Sequence, residues 1–288
     1  MKNNPKLEPI LDKLRITRKS LQSAQHWKRA NFTDVPALFG NAMPKSGSHL
    51  VLQILQGIAQ IAPFRYVDHK PLRTITAEGR KRTEKEIFRD LKALKSGAIG
   101  WGYLTSNPEY TQYFNDHPEI ISLFVYRDPR DRLISSIFYA VDIYKGHAQH
   151  QYYSSIPMEE RIKTEILGRD LDGLEHLPNI YDHYARYLGW LDCPPVLCLP
   201  FEDLIKKQEQ SLEKILDHIE NGPFKIPTSR EKAMAVIKES IQPKKSPTFR
   251  EGKTGKWRDY FNEEHKRLFK DVAGDLLIKL GYEENNDW

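Results

Sequence analysis

Cysteine is almost missing from this sequence. Its 288 residues include only Cys193 and Cys198, too few for a disulfide framework or a zinc site built from four cysteines. We expect both thiols to stay reduced and to pack as small apolar groups. Disulfides and cysteine-bound zinc are therefore excluded as the basis of the fold.

Long apolar runs are missing as well. The opening MKNNPKLEPILDKLRITRKS lacks the roughly seven contiguous apolar residues of a signal peptide. Elsewhere no stretch reaches the ~20 apolar residues that a membrane span needs. We expect a soluble, cytoplasmic protein without a membrane partner.

Positive charge is only slightly in excess. Lysine and arginine total 44 against 39 acidic residues, a net charge of +5, and the pI is near 8.9. This balance suits an anionic ligand and does not require nucleic acid as a partner. The length fits one large domain or at most two small ones.

Apolar strands alternate with amphipathic helices along the chain, which predicts an α/β fold: a central parallel sheet with helices on both faces. The predicted strands are residues 35–43, 97–104, 120–127 and 194–204. The predicted helices before the final third are residues 49–62, 83–95, 107–118, 128–142 and 158–168. We assign residues 35–288 to one domain, with 1–34 as an extension packing on it and 142–180 as an inserted lid.

The loop PKSGSHL joins the first predicted strand to its helix. Such a loop directs backbone N–H groups and the positive end of the helix dipole at one spot, where phosphate binds readily. Ser46, Gly47 and Ser48 are small enough for close backbone approach, and Lys45 adds a positive charge. The loop is not a Walker A motif, because its lysine precedes its only glycine. A helix N-cap beside a solvated lysine is the alternative.

A second loop follows the strongest predicted strand, in YRDPRDRLISS. Arg127 ends that strand and Ser135 lies two turns along the next helix, so both can hold a second phosphate above the sheet. For two further arginines we expect surface ion pairs with nearby carboxylates: Arg130 and Arg132 with Asp128 and Asp131.

A third loop, FREGKTGKWRDYF, is basic and contains two glycines. Arg250, Lys253 and Lys256 are separated by Gly252 and Gly255, so the backbone can fold around an anion. A solvated turn is the alternative.

Together these three stretches resemble the superfamily of sulfotransferases that use 3′-phosphoadenosine 5′-phosphosulfate (PAPS). PKSGSHL is similar to its 5′-phosphosulfate loop, YRDPRDRLISS to its 3′-phosphate strand and helix, and FREGKTGKWRDYF to its RKGxxGxWxxxF motif. LPFEDL and LLIKLGYEENNDW resemble soluble bacterial members. The resemblance spans residues 36–288 and implies a fold like that of the P-loop nucleotide kinases.

The resemblance implies sulfuryl transfer from PAPS to a hydroxyl or amine of a small molecule, leaving adenosine 3′,5′-bisphosphate (PAP). Lys45 would stabilise the leaving phosphate, so no metal is needed. The residues implied in holding the donor are Ser46, Gly47, Ser48 and His49 at the 5′-phosphate, Arg127, Ser135, Arg250, Gly252 and Lys253 at the 3′-phosphate, and Phe201 near the adenine.

Two positions depart from the family pattern. Glu251 replaces the lysine of RKG, and Tyr103 replaces the usual catalytic histidine. For the general base we predict Asp68 or His69, in YVDHKP, with a solvated loop as the alternative. Tyr103 can hydrogen-bond the acceptor, but a phenol of pKa ~10 is a poor base near neutral pH.

Several aromatic residues and histidines remain. We expect His147 and His150 to contact the acceptor or solvent rather than a metal. Trp101, Tyr139 and Tyr144 indicate a flat or cationic acceptor, or otherwise a buried aromatic wall.

The predicted setting is bacterial secondary metabolism, with a monomer or homodimer acting on a small-molecule acceptor. Two other functions stay open: a P-loop kinase that uses ATP and magnesium, and a homologue that binds the nucleotide but has lost activity.

Overall fold

A computed structural model describes residues 8–67, 70–76, 80–170, 176–246 and 251–288. Its strands are β1 (Ala37–Ala42), β2 (Tyr66–Val67), β3 (Leu72–Arg73), β4 (Ala98–Tyr103), β5 (Ile120–Tyr126) and β6 (Val196–Pro200). Its α-helices are α1 (Glu8–His26), α2 (Ser48–Ile61), α3 (Glu84–Leu91), α4 (Pro108–Asp116), α5 (Pro129–Phe138), α6 (His150–Ser155), α7 (Met158–Leu167), α8 (Ile180–Leu188), α9 (Phe201–Lys206), α10 (Gln208–Ile219), α11 (Arg230–Ser240), α12 (Glu263–Ala273) and α13 (Leu276–Lys279). A π-helical turn covers Tyr139–Ile143, and 3₁₀ turns cover Pro243–Lys245 and Lys256–Asp259.

All the strands lie in one parallel sheet, as predicted. The order is β2, β4, β1, β5, β6, with β3 pairing beside β2 along the same edge of β4. Strands β2, β3 and β4 lie on one side of β1, and the chain then crosses over to form β5 on the other side. A crevice opens at such a reversal, at the carboxyl ends of the strands, and ligands bind there in open α/β sheets.

The central strands are buried on both faces, which explains their continuous apolar sequence. Leu38 and Leu123 pack into one core with helices α2, α10 and α11. Phe39 and Phe124 pack into the opposite core, which includes α4, α5 and α8. Each such side chain contributes about 1.5–3 kcal/mol by its burial, so the two cores fix the sheet that positions the loops.

The region before β1 is more regular than expected. Helix α1 alone takes up 19 residues of the predicted extension 1–34. Near its end the Ser23 hydroxyl donates a hydrogen bond to the carbonyl of Phe64. The domain boundaries, and a lid role for residues 142–180, stay predictions.

No helix in the described ranges combines the length and apolarity required to span a bilayer.

Candidate active site

The loop between β1 and α2 has two residues with positive φ. Lys45 has φ 69° and Gly47 has φ 88°. The left-handed region is unfavourable for a residue with a Cβ, so the Lys45 backbone is strained. Gly47 is needed for a second reason, because a Cβ there would lie 2.5 Å from Cδ2 of Phe201. Glycine thus lets the Phe201 ring close against the loop.

Gly47→Ala is expected to lower the stability of the protein by at least about 1–2 kcal/mol, the cost of a left-handed alanine, with the clash against Phe201 added. Thermal unfolding measures the effect as a lower Tm. Gly222→Ala is the matched control, since a Cβ at Gly222 meets nothing within 4 Å. Equal Tm values for the two variants would refute this account of the loop.

The Lys45 side chain lies in an electropositive environment. Its Nζ is 3.7 Å from the centre of the Tyr139 ring, a cation–π contact. Burial, together with the charges of Arg132 and Arg127, lowers the pKa of Lys45 from 10.5 to about 7. The ammonium form is therefore only about half populated at neutral pH, and a nearby anion would favour it.

Arg127 connects the first loop to the third. Its Nη1 donates to the Lys45 carbonyl at 3.2 Å, and its Nη2 donates to the Lys253 carbonyl at 3.1 Å. The guanidinium carbon lies 4.7 Å from the centre of the Phe201 ring. Its buried Nε has no hydrogen-bond partner among the described residues, and Glu202 Oε1 is 4.0 Å away. The Nε–H donor of Arg127 thus remains without a hydrogen-bond acceptor in the described part of the chain.

Asp131 anchors the third loop, which differs from its predicted surface ion pair. The carboxylate is 2% exposed and accepts hydrogen bonds from the backbone N–H groups of Gly255, at 2.5 Å, and Trp257, at 2.9 Å. These bonds form because the first turn of α5 faces a backbone segment more than 120 residues later. The prediction of a surface pair for Asp131 was wrong.

The surface pairs predicted for Arg130 and Arg132 were wrong in the same way. Arg130 binds Asp128 as expected, at 2.8 Å, but the arginine is 1% exposed and also binds Glu283, at 2.6 Å. Its guanidinium lies against the rings of Trp257 and Trp288. Arg132 is buried too and pairs with Glu165. Distant segments cover both arginines, which local charge spacing does not reveal.

The three loops and the end of β4 enclose a cavity of about 970 Å³. Ten of the residues assigned from the sequence to donor binding or catalysis line it: Lys45, Gly47, Ser48, His49, Tyr103, Arg127, Ser135, Phe201, Gly252 and Lys253. Ser46 is fully buried beside it, and its hydroxyl has no hydrogen-bond partner within the described ranges. Asp68, His69 and Arg250 lie outside the described residues.

The end of β4 forms a further wall of the cavity. The Tyr103 hydroxyl lies 2.8 Å from Ser48 Oγ, so the two share a hydrogen bond. Trp101 does not reach the cavity: it is 5% exposed and its ring lies near those of His49 and Tyr103. Of the two interpretations of Trp101, acceptor contact or a buried aromatic wall, the buried wall is correct.

His147 lines the cavity beside Tyr139. Its Nδ1 accepts a hydrogen bond from the Gln149 backbone N–H, at 3.2 Å. Burial and the charge of Lys45 lower its pKa, so the neutral ring carries its proton on Nε2 and can donate to a ligand. His150 instead bonds the Ala140 carbonyl through Nδ1, at 2.9 Å.

Other cavity residues gave no signal in the sequence. Arg73, Thr74 and Thr76 come from the end of β3 and the segment after it. A strand of two residues is too short for an alternating pattern. Tyr187 also lines the cavity, and nothing in the sequence connects it with the loops.

Comparison with known proteins identifies the class. A sequence model described as sulfotransferase domain matches residues 38–281, so the chain belongs to the sulfotransferase domain family. The family resemblance found in the three motifs is thereby confirmed.

One curated relative is the Drosophila melanogaster protein named uronyl 2-sulfotransferase homolog pip, 24% identical over 200 residues. The match covers 63% of this chain and 38% of that protein, so the chain spans well under half of the relative's length.

Two solved structures share the fold. Mouse sulfotransferase SULT7A1, complexed with PAP, is 15% identical with a TM-score of 0.59, and the match covers 88% of this chain and 91% of that one. Retinol dehydratase, in complex with androsterone and the inactive cofactor PAP, is 17% identical with a TM-score of 0.53, covering 90% of this chain and 85% of that one. These likenesses confirm the predicted architecture.

Proposed function

We propose that this sulfotransferase uses PAPS as donor and sulfates a hydroxyl or amine of a small molecule. One observation carries the proposal: Arg127 joins the Lys45 loop and the Lys253 loop by two hydrogen bonds at the wall of a single cavity. A donor with phosphates at both its 5′ and 3′ ends needs two cationic loops at a fixed separation. The PAP complexes of SULT7A1 and retinol dehydratase support this choice of donor.

The residues of the cavity fit such a donor. The N-cap of α2 is Gly47, which has no side chain to occupy the first N–H groups of the helix, so these are available to a 5′-phosphate. A 3′-phosphate oxygen would supply the acceptor that Arg127 Nε lacks, with Ser135 and Gly252 beside it. The Phe201 ring offers an apolar face to the adenine.

In the proposed mechanism the chain mainly positions the reactants and stabilises charge. The transition state of such a transfer is loose, so negative charge develops on the leaving phosphate oxygen, and the Lys45 ammonium stabilises it there. The Tyr103 hydroxyl, held by Ser48, orients the acceptor. Asp68 and His69 remain our proposed proton acceptors.

Affinity for PAP is expected to fall as pH rises above about 7. Free Lys45 has a pKa of about 7, whereas the bound anion keeps the lysine protonated, so binding above pH 7 requires proton uptake. The dissociation constant then rises by up to about tenfold per pH unit. Phosphate groups, with a second pKa of ~6, are already ionised in this range.

Calorimetric titration at pH 7, 8 and 9 measures the slope. Lys45→Met serves as the comparison variant, and its affinity should be independent of pH over the same range. An identical slope in both proteins would mean that another group takes up the proton.

Thermal-shift measurements test the donor. PAP should raise the Tm of the protein, and ATP with magnesium should have a smaller effect. Stabilisation by ATP with magnesium alone would favour the kinase alternative and overturn the proposal. Labelled PAPS with a metabolite extract then tests transfer: binding of PAP without any labelled product would indicate an inactive homologue.

The finer expectations, a secondary-metabolite acceptor, a cytoplasmic setting and a monomeric or dimeric state, stay predictions.

A further inference from the structure

Arg73 lies on the side of the cavity away from the proposed donor loops. It ends β3, and its Cα is the register partner of Tyr103 at the end of β4. The strand order is β3, β4, β1, β5. Arg73, Tyr103, Lys45 and Arg127, at or just after the carboxyl ends of these strands, therefore follow one another across the same end of the sheet. Adjacent strands are ~4.8 Å apart, so β3 lies about 10 Å from β1 and about 14 Å from β5.

The Arg73 guanidinium contacts an aromatic ring. Its carbon lies 5.5 Å from the centre of the Tyr103 ring. Across the parts of the chain that the structure describes, its side chain has neither a hydrogen-bond nor an ion-pair partner. The planar fork of donors therefore remains available to a ligand.

The acids among the described residues that line the cavity are on the other side. Asp131 is engaged by the two N–H groups of the third loop, and Glu251 lies 3.8 Å from Lys256. Within the described lining, the wall near Tyr103 has a cation and no carboxylate. The proposed donor engages Lys45 and Arg127, which leaves Arg73 as a separate anion-binding group.

We propose that Arg73 binds a carboxylate of the acceptor, so that the enzyme sulfates small hydroxy acids or amino acids. This inference rests on the proposed function, because it takes the Lys45 side of the cavity as the donor site. The acceptor would lie across Tyr103, with its nucleophile towards Lys45 and its carboxylate in the fork of Arg73. A bidentate pair of this kind sets orientation as well as affinity, and the cavity residues Thr74 and Thr76 follow Arg73 in the chain.

The experiment compares acids with their methyl esters. An equimolar panel of aryl and alkyl hydroxy acids and amino acids, each with its methyl ester, is incubated with labelled PAPS, and products are identified by mass spectrometry. The wild type should sulfate acids at least about tenfold faster than the esters, in kcat/KM. Arg73→Gln should reduce kcat/KM for the acids by about 10–100-fold. The kcat/KM for the esters and the affinity for PAP should both stay unchanged.

Two variants sharpen the comparison. Arg73→Lys keeps the charge without the fork, so it should retain an intermediate preference for acids. Arg89→Gln removes an exposed arginine of α3 and should behave as the wild type. The inference would be overturned if acids and esters were sulfated at equal rates, or if only esters were sulfated. It would also be overturned if no acid were sulfated by a wild type that still binds PAP. Weaker PAP binding in Arg73→Gln would also overturn it, by assigning Arg73 to the donor. Failure of the wild type to bind PAP would instead refute the proposed function.

Discussion

Replacing Lys45 with methionine is expected to lower kcat by about 10²–10³-fold, the usual cost of removing one group that stabilises transition-state charge. Affinity for PAP at pH 7 should fall by only about tenfold, or ~1.4 kcal/mol, because the free lysine is half neutral there. Methionine keeps most of the length of the side chain and its contact with the Tyr139 ring. Single-turnover transfer from labelled PAPS measures the chemical step.

Lys214→Met provides the control for this variant. Lys214 is an exposed residue of α10, far from the loops in sequence, and its replacement should leave kcat unchanged. If Lys45→Met retained kcat within about threefold of the wild type, some other group would have to stabilise the leaving phosphate.

Arg127→Gln should weaken PAP binding by about 10²-fold, since hydrogen bonds to charged groups contribute ~1.5–3 kcal/mol each. The same variant should bind 5′-AMP only a few-fold more weakly, because 5′-AMP has no 3′-phosphate for Arg127 to hold. The small remaining loss reflects the hydrogen bond from Arg127 to the Lys45 carbonyl. Calorimetry with both nucleotides measures the loss of affinity for PAP relative to the loss for 5′-AMP.

Arg186→Gln is the matched control, because Arg186 is an exposed residue of α8. Circular dichroism should be the same for both variants and the wild type. Equal losses for PAP and 5′-AMP in Arg127→Gln would mean that Arg127 acts only by supporting the Lys45 loop.

The sequence was most informative where structure depends on near neighbours. The apolar run before PKSGSHL predicted β1 and α2 to within a residue or two, because a buried strand and a small-residue turn are local patterns. The placement of Arg127 and Ser135 at one cavity followed from a strand end and the helical repeat.

The rest of the site depends on distant partners. Asp131 and Arg130 looked like ordinary surface charges, and only the folded chain brings Trp257 and Glu283 over them. Arg73 was missed because a strand of two residues has no detectable period. Trp101 was ambiguous because β4 is buried on both faces, so alternation does not distinguish a cavity wall from the core.

The buried contacts of Arg130 couple the cavity to a remote part of the chain. Arg130 binds Asp128, next to Arg127, and Glu283, while its guanidinium lies against Trp288. Local opening of the segment 283–288 would remove two of these contacts, those of Arg130 with Glu283 and Trp288, and would uncover the first turn of α5. A ligand that binds only the closed form must therefore oppose that opening, by RT ln(1 + [L]/Kd). For such a ligand, occupancy of the cavity and protection of this segment from local unfolding would be two measures of one equilibrium.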